Sequence, residues 1–264
     1  MGLRYPQRIL LSVIALAGLL AGALWLYLQS IDRERAADLD RIVVETVELS
    51  APDLANVTLW LPRAAAVDVE PFGGRIYAAS ASGLEVFEVD GRRVRRYTAL
   101  DGLPENELTC LERYGDRLFI GTRESGLLAF DGQRFTQYRL VRPGARHVTA
   151  LCAAQGELLV GTFDGGLFEF DGERFTRRYA GEAGEACRQV TALLEAGPRV
   201  FIGTFDGGLF VWREGALARV GTGEGLPSAR VTGLAARGSG ILVATDLGVA
   251  ELESDGQVTV VDAT

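Results

Sequence analysis

Glu157-Leu-Leu-Val-Gly-Thr-Phe-Asp-Gly-Gly-Leu-Phe-Glu-Phe-Asp-Gly172 returns almost unchanged as Arg199-Val-Phe-Ile-Gly-Thr-Phe-Asp-Gly-Gly-Leu-Phe-Val-Trp212. Fainter copies flank the pair. With the Gly-Thr dipeptide as anchor, Ala79, Gly121, Gly161, Gly203 and Ala244 fall at intervals of 42, 40, 42 and 41 residues. A period of about 40–50 residues built from short β segments marks a β-propeller, one repeat per blade. Propellers are scaffolds, so the repeats speak to architecture far more than to activity.

Within one copy the strands follow from apolar runs bounded by Gly, Asp or Pro. In the fourth copy they are Val190 to Glu195, Arg199 to Thr204, Gly208 to Trp212 and Ala216 to Val220. Asp90-Gly91, Asp131-Gly132, Asp171-Gly172 and Asp255-Gly256 separate strands three and four, and Asp-Gly predicts type I′ hairpins there. The expected fold is all-β, a propeller of about five four-stranded blades over residues 66–264. The last copy has its own fourth strand, Gln257 to Val261. Two further β-like runs, Ile42 to Leu49 and Val57 to Leu61, precede the repeats and would cover an edge of the ring or begin a sixth blade.

Ile9 to Leu28 is a nearly unbroken apolar run. As a helix it is about 30 Å long, enough to span a bilayer's hydrocarbon core, and Trp25 and Tyr27 suit the headgroup level. The expected organisation is therefore a cytoplasmic N-terminus (1–8), a single transmembrane helix (9–28), a juxtamembrane segment with extra strands (29–65) and the propeller. A cleaved signal ending at Ala21-Gly22-Ala23 is the rival reading, but the apolar run continues beyond that site. Arginines on both sides of the helix leave orientation open, yet long domains are exported largely regardless of charge. The expected location is the inner membrane, single-pass, with the propeller on the periplasmic or extracytoplasmic side.

The net charge is −8, and Arg4 and Arg8 are the only charged residues before Asp32, so the rest of the chain carries −10. An acidic domain without a basic face does not suit nucleic acid. Every basic residue is Arg; with no Lys, Schiff-base chemistry has no residue to use. One His and three scattered Cys do not supply a metal centre. Cys110 aligns with Ala150, Ala192 and Gly233, a small buried station, which predicts thiols packed as apolar groups. A Cys110–Cys152 disulfide is the alternative for an exported domain. No cofactor site is expected.

Several short signatures recur in a fixed order: Leu118 to Leu127 (Leu-Phe-Ile-Gly-Thr with a following Gly-Leu), Phe130 to Tyr138 (Phe-Asp-Gly with Phe-Thr and Tyr) and Asp101 to Asn106 (Asp-Gly-Leu-Pro-x-Asn). This set resembles the two-component regulator propeller repeat family over residues 66 to 262. The resemblance implies a bacterial extracytoplasmic sensor-type propeller. It would be a stand-alone one, because this chain carries no kinase or regulator module.

No recurrent acid pair, Ser-His-Asp arrangement or phosphate loop is visible. The Thr162-x-Asp164-x-Gly166 pattern is superficially similar to a sialidase Asp-box, but lacks the following Thr-Trp and reads as turn chemistry. The residues just before strand one of each blade should ring one mouth of the central channel: Asn106 and Glu107, Arg146 and His147, Arg188 and Gln189, and Arg230. Loops between strands two and three bring Arg123, Phe163, Asp164, Phe205 and Asp206 to the same rim. Arginines at that mouth would hold an anion by charge-assisted hydrogen bonds, or Asp164, Asp206 and Glu107 would neutralise them.

Three functions follow. The first is a non-enzymatic recognition or scaffold module for a protein partner or envelope component. The second is a sensor subunit that binds a small anion and signals through a separate membrane kinase. The third, a lyase or hydrolase, fits poorly with one His and no Lys.

Overall fold

The computed structural model describes residues 44–49, 64–140, 145–172, 174–177 and 187–263. The predicted transmembrane segment and Val57 to Leu61 lie outside these. Among the described residues no helix is long and apolar enough to cross a membrane.

The described residues are all-β, and each repeat forms one antiparallel four-stranded sheet in simple up-and-down order. Blade one comprises β2 (Ala66–Phe72), β3 (Arg75–Ser80), β4 (Gly83–Phe87) and β5 (Arg93–Tyr97). Blade two holds β6 (Leu108–Tyr114), β7 (Arg117–Thr122), β8 (Leu127–Phe130) and β9 (Phe135–Leu140). Blade three holds β10 (Val148–Ala154), β11 (Glu157–Thr162), β12 (Gly166–Phe170) and β13 (Phe175–Arg177). Blade four holds β14 (Val190–Ala196), β15 (Arg199–Thr204), β16 (Leu209–Arg213) and β17 (Ala216–Val220). Blade five holds β18 (Val231–Arg237), β19 (Gly240–Thr245), β20 (Gly248–Leu252) and β21 (Val258–Ala263). The strands read from the sequence thus agree with the structure to within a residue or two.

One of the two early β-like runs finds its place. β1 (Val44–Leu49) pairs antiparallel with β9, Val44 opposite Leu140 and Leu49 opposite Phe135, and gives blade two a fifth, outermost strand. It satisfies the free backbone groups of β9, the edge that each four-stranded sheet would otherwise present to solvent.

The hairpin chemistry differs from expectation. The aspartates of the Asp-Gly turns do not have positive φ; only their glycines do, at 86° to 104°. A type I′ turn needs both central residues there. Instead the Asp carboxylate accepts backbone N–H groups two or three residues on, as when Asp131 Oδ1 takes Gln133 and Arg134, each at 2.7 Å. These are Asx turns ending in a left-handed glycine. The I′ signature occurs elsewhere, at Gln155-Gly156 (φ 54° and 85°) and Glu214-Gly215 (φ 51° and 83°).

Neighbouring sheets bury their faces against each other. Blades one and two enclose Tyr97, Phe130 and Phe135, with Phe130 stacked on Phe135 at 4.5 Å between ring centroids. Blades two and three enclose Phe119, Tyr138 and Phe170. Such ring pairs add about 0.5–1.5 kcal/mol each beyond area burial. The close approach at the centre requires glycine: a Cβ on Gly161 or Gly203 would stand 2.5 or 2.6 Å from the Cγ1 of Val190 or Val231 in the next blade.

Inner strands β2, β6, β10, β14 and β18 pack side by side in sequence order. Between the last and the first, however, the array is open among the described residues. Val69 on β2 is 52% exposed, and the side of β18 away from blade four exposes Ala235 and Arg237.

All three cysteines are buried and unpaired. Burial pushes their thiols up to about 12. They pack as small apolar groups, and the alternative Cys110–Cys152 disulfide is not formed.

Candidate functional site at the channel mouth

The short segments before each strand one do run along a single edge of the array, and a repeated hydrogen-bond pattern places them. Within a blade, the residue after strand two donates its N–H to the residue before strand one: Arg123 to Glu107 at 3.1 Å, Phe163 to His147 at 3.0 Å, Phe205 to Gln189 at 2.9 Å and Asp246 to Arg230 at 3.3 Å. Between blades, Gly126, Gly166 and Gly208 donate to the carbonyls of Arg146, Arg188 and Ala229. The mouth segments of blades three, four and five are therefore each stitched to two blades through the backbone.

The strand-two threonines complete the scaffold. Thr162 Oγ1 donates to the Gly166 carbonyl at 2.9 Å and accepts the Gly165 N–H at 3.0 Å, with the same donation from Thr122, Thr204 and Thr245. The Thr162-x-Asp164-x-Gly166 pattern is thus a turn, as its sequence suggested.

Side chains on this edge form a contiguous strip across blades three to five. The His147 imidazole lies 5.5 Å from the Phe163 ring, Phe163 meets Phe205 edge-on at 5.7 Å, and the Arg230 guanidinium sits 4.2 Å over Phe205. Arg230 in turn pairs with Asp246 at 3.6 Å. Both Phe residues are half-buried. Beside it lies a central hollow of about 460 Å³ edged by Val67, Glu107, Arg123, His147, Thr149 and Phe163.

The arginines are not a bare anion cradle. Arg123 pairs with Glu107 at 3.3 Å, and Arg188 Nε donates to the Asp164 carbonyl at 3.3 Å. Arg146 is exposed and forms no ion pair among the described residues. Glu107 supplies a carboxylate partner in the expected way; Asp164 contributes its backbone oxygen, and Asp206 is exposed. Gln189 serves through its carbonyl. Asn106 is drawn into the preceding loop, where its Oδ1 accepts the Ala99 N–H at 2.9 Å. Burial, and then the Arg123 charge, hold the His147 pKa below its ordinary 6.5, against the opposite pull of Asp164, Glu105 and Glu107. The imidazole is accordingly neutral at pH 7 and gains charge only in acid.

Two contributors escaped the sequence reading. Asp246, the partner of Arg230, occupies the station of Arg123, Phe163 and Phe205 directly after the Gly-Thr anchor, so the repeat alignment already carried the signal. Glu105 accepts the N–H of Glu124 at 2.9 Å and so holds the rim loop of blade two; no spacing rule marks it.

No protein-family model matches this sequence, and no curated protein matches it. Solved structures do. The extracellular domain of BT4673 from B. thetaiotaomicron superposes with a TM-score of 0.60 at 18% identity, covering 74% of this chain and 28% of that one. PorZ, a bacterial surface component of the type-IX secretion system of Porphyromonas gingivalis, gives 0.56 at 15% identity over 83% of this chain and 29% of its own. The computationally designed Ika8 protein gives 0.53 at 20% identity over 76% of this chain and 61% of that chain. This chain therefore spans under two thirds of the length of each. At these identities the likeness establishes a related propeller-like fold.

Proposed function

We propose that this chain is a non-enzymatic recognition module, a membrane-anchored propeller on the extracytoplasmic side whose channel-mouth edge binds a protein partner or an envelope component. The carrying observation is the His147–Phe163–Phe205–Arg230 strip. Half-exposed aromatic rings with a stacked guanidinium, mounted on loops pinned by backbone hydrogen bonds, have the composition of a binding hot spot. The apolar segment 9–28 supports the anchor, and the fold likeness to an extracellular domain supports the location. The sensor reading, with a separate membrane kinase as its output, ranks second because Arg123, Arg188 and Arg230 already have partners.

A photo-crosslinking residue at 163 or 205 in the membrane-embedded full chain tests this. The expected result is one discrete adduct from those positions and none from Asp116, which lies on the opposite edge. Equal labelling from both edges would overturn the proposal. A saturable rise in melting temperature with a carboxylate, phosphate or acidic sugar, lost in Arg188→Ala, would instead install the sensor reading.

A further inference from the structure

Each blade has a leading face toward the blade before it and a trailing face toward the blade after it. Among the described residues, the leading face of blade one and the trailing face of blade five are the two left open. We propose that they are the two halves of one interface, and that the trailing face of blade five docks onto the leading face of blade one in a second copy of this chain.

The first observation is a latch. Thr109 Oγ1 donates to the Val148 carbonyl at 2.7 Å, Thr149 to Val190 at 2.6 Å and Thr191 to Val231 at 2.7 Å, each reaching from one inner strand to the next. Blade five keeps that hydroxyl as Thr232, which is exposed. The carbonyl it would meet on a following blade one is that of Ala66, which is opposite Ser80 as Val148 is opposite Thr162.

Size agrees as well. In three of the four interior seams glycine at the strand-two station (Gly121, Gly161, Gly203) makes room for valine at the start of the next inner strand, and in the seam of blades one and two Ala79 and Leu108 hold those stations and share one core cluster. At the open ends Ala244 stands in the glycine's place and the smaller Ala66 in the valine's. The open ends therefore bring less bulk to this point than the seam of blades one and two, which already packs an alanine against a leucine.

Charge is the third element. On the leading face of blade one, Glu85 is ringed by Arg93 at 3.0 Å and by Arg96, whereas the same station in blades two to five is Leu128, Phe168, Phe210 and Ala250, all buried. On the trailing face of blade five, Arg237 pairs with Glu251 at 3.3 Å; Asp262, opposite Val249, falls on the same face of the sheet. One face carries an excess positive charge and the other an excess negative one, which favours heterologous over face-to-same-face contact.

Cysteine pairing across the seam tests the proposal in the full-length protein in detergent micelles. In interior seams Cys152 meets Leu193 and Leu194 meets Leu234; the corresponding pair at the open ends is Ala235 and Val69. Copies carrying Val69→Cys and Ala235→Cys, separately tagged and mixed, are expected to form a disulfide-linked heterodimer on oxidation, several-fold above either homodimer. The buried native cysteines provide the background control in the unmodified chain. Glu251→Arg is expected to abolish the cross-link and Arg96→Glu on the opposing copy to restore it. Three results would overturn the proposal: a monomer mass at all concentrations without cross-link, an intramolecular disulfide in the doubly substituted chain showing that one copy closes on itself, or cross-linking indifferent to the charge reversals.

Discussion

Phe210 in blade four and Glu85 in blade one hold the same station on the third strand of their repeats, and so do Phe201 in blade four and Leu242 in blade five on the second. Phe210 and Phe201 are 4% and 0% exposed; Glu85 and Leu242 are only half-buried. The four stations have the same backbone pairing, so the sheet itself does not account for the difference. It comes from the next blade. A blade in a stacked array buries both faces only when flanked on both sides, and repeats that look equivalent in sequence become unequal in energy.

Substitutions at matched stations sharpen that contrast, measured by denaturant unfolding of dilute, monomeric protein. The largest difference is expected at the aromatic stations: Phe201→Ala should cost about 3–5 kcal/mol, whereas Leu242→Ala, half-exposed, should cost at most about 1.5 kcal/mol. Equal costs would mean that the face of blade five is covered in the monomer.

Glycine stations come next. Gly203→Ala places a methyl 2.6 Å from Val231 Cγ1 and should destabilise by about 1–3 kcal/mol. In blade five Ala244 holds the Gly203 station, and the glycine on the open face is its strand-one partner Gly233; the nearest atom to a Cβ there is 3.9 Å away, so Gly233→Ala should stay within about 0.5 kcal/mol of the parent. The latch follows: Thr191→Val should cost about 1 kcal/mol for the lost hydrogen bond to Val231, and Thr232→Val should leave the monomer unchanged while weakening association.

The smallest expected effect is a change in pH slope. Glu112 faces blade three, and burial, with help from the Glu70 and Asp68 charges, raises its pKa from 4.5 to about 7 against a hydrogen bond from the Ala153 backbone. The native state then binds more protons than the unfolded state between about pH 4.5 and 7, so this carboxyl's contribution falls as pH rises through that window. Glu112→Gln should flatten the loss of melting temperature between pH 5 and pH 8. An unchanged slope would mean that blade three does not bury this group.

Much of the fold was legible in advance because strand content is local. Alternating or sandwiched apolar runs such as Arg199 to Thr204, punctuated by Gly and Asp, admit few other conformations. The mouth residues were legible for a related reason: a repeat fixes which stations share an edge, so Glu107, His147, Gln189 and Arg230 had to fall together. Side-chain partners were not. Asn106 turns back into its own loop, Arg230 chooses Asp246 over a neighbouring carboxylate, and the Asp-Gly turns use the aspartate side chain where its φ was expected to matter. Such choices depend on distances between loops that lie far apart in sequence.

By itself, then, the amino-acid sequence determined the number of repeats, the strands within each, the edge on which the candidate site lies and the buried character of the cysteines, because periodicity and apolar patterning are carried by single segments. Only the tertiary structure decided that β1 joins blade two, that Phe163, Phe205 and Arg230 form one strip and that blades one and five leave a face open. Each of these depends on how neighbouring blades lean on one another, and inter-blade packing is a sum over many contacts that no single segment encodes.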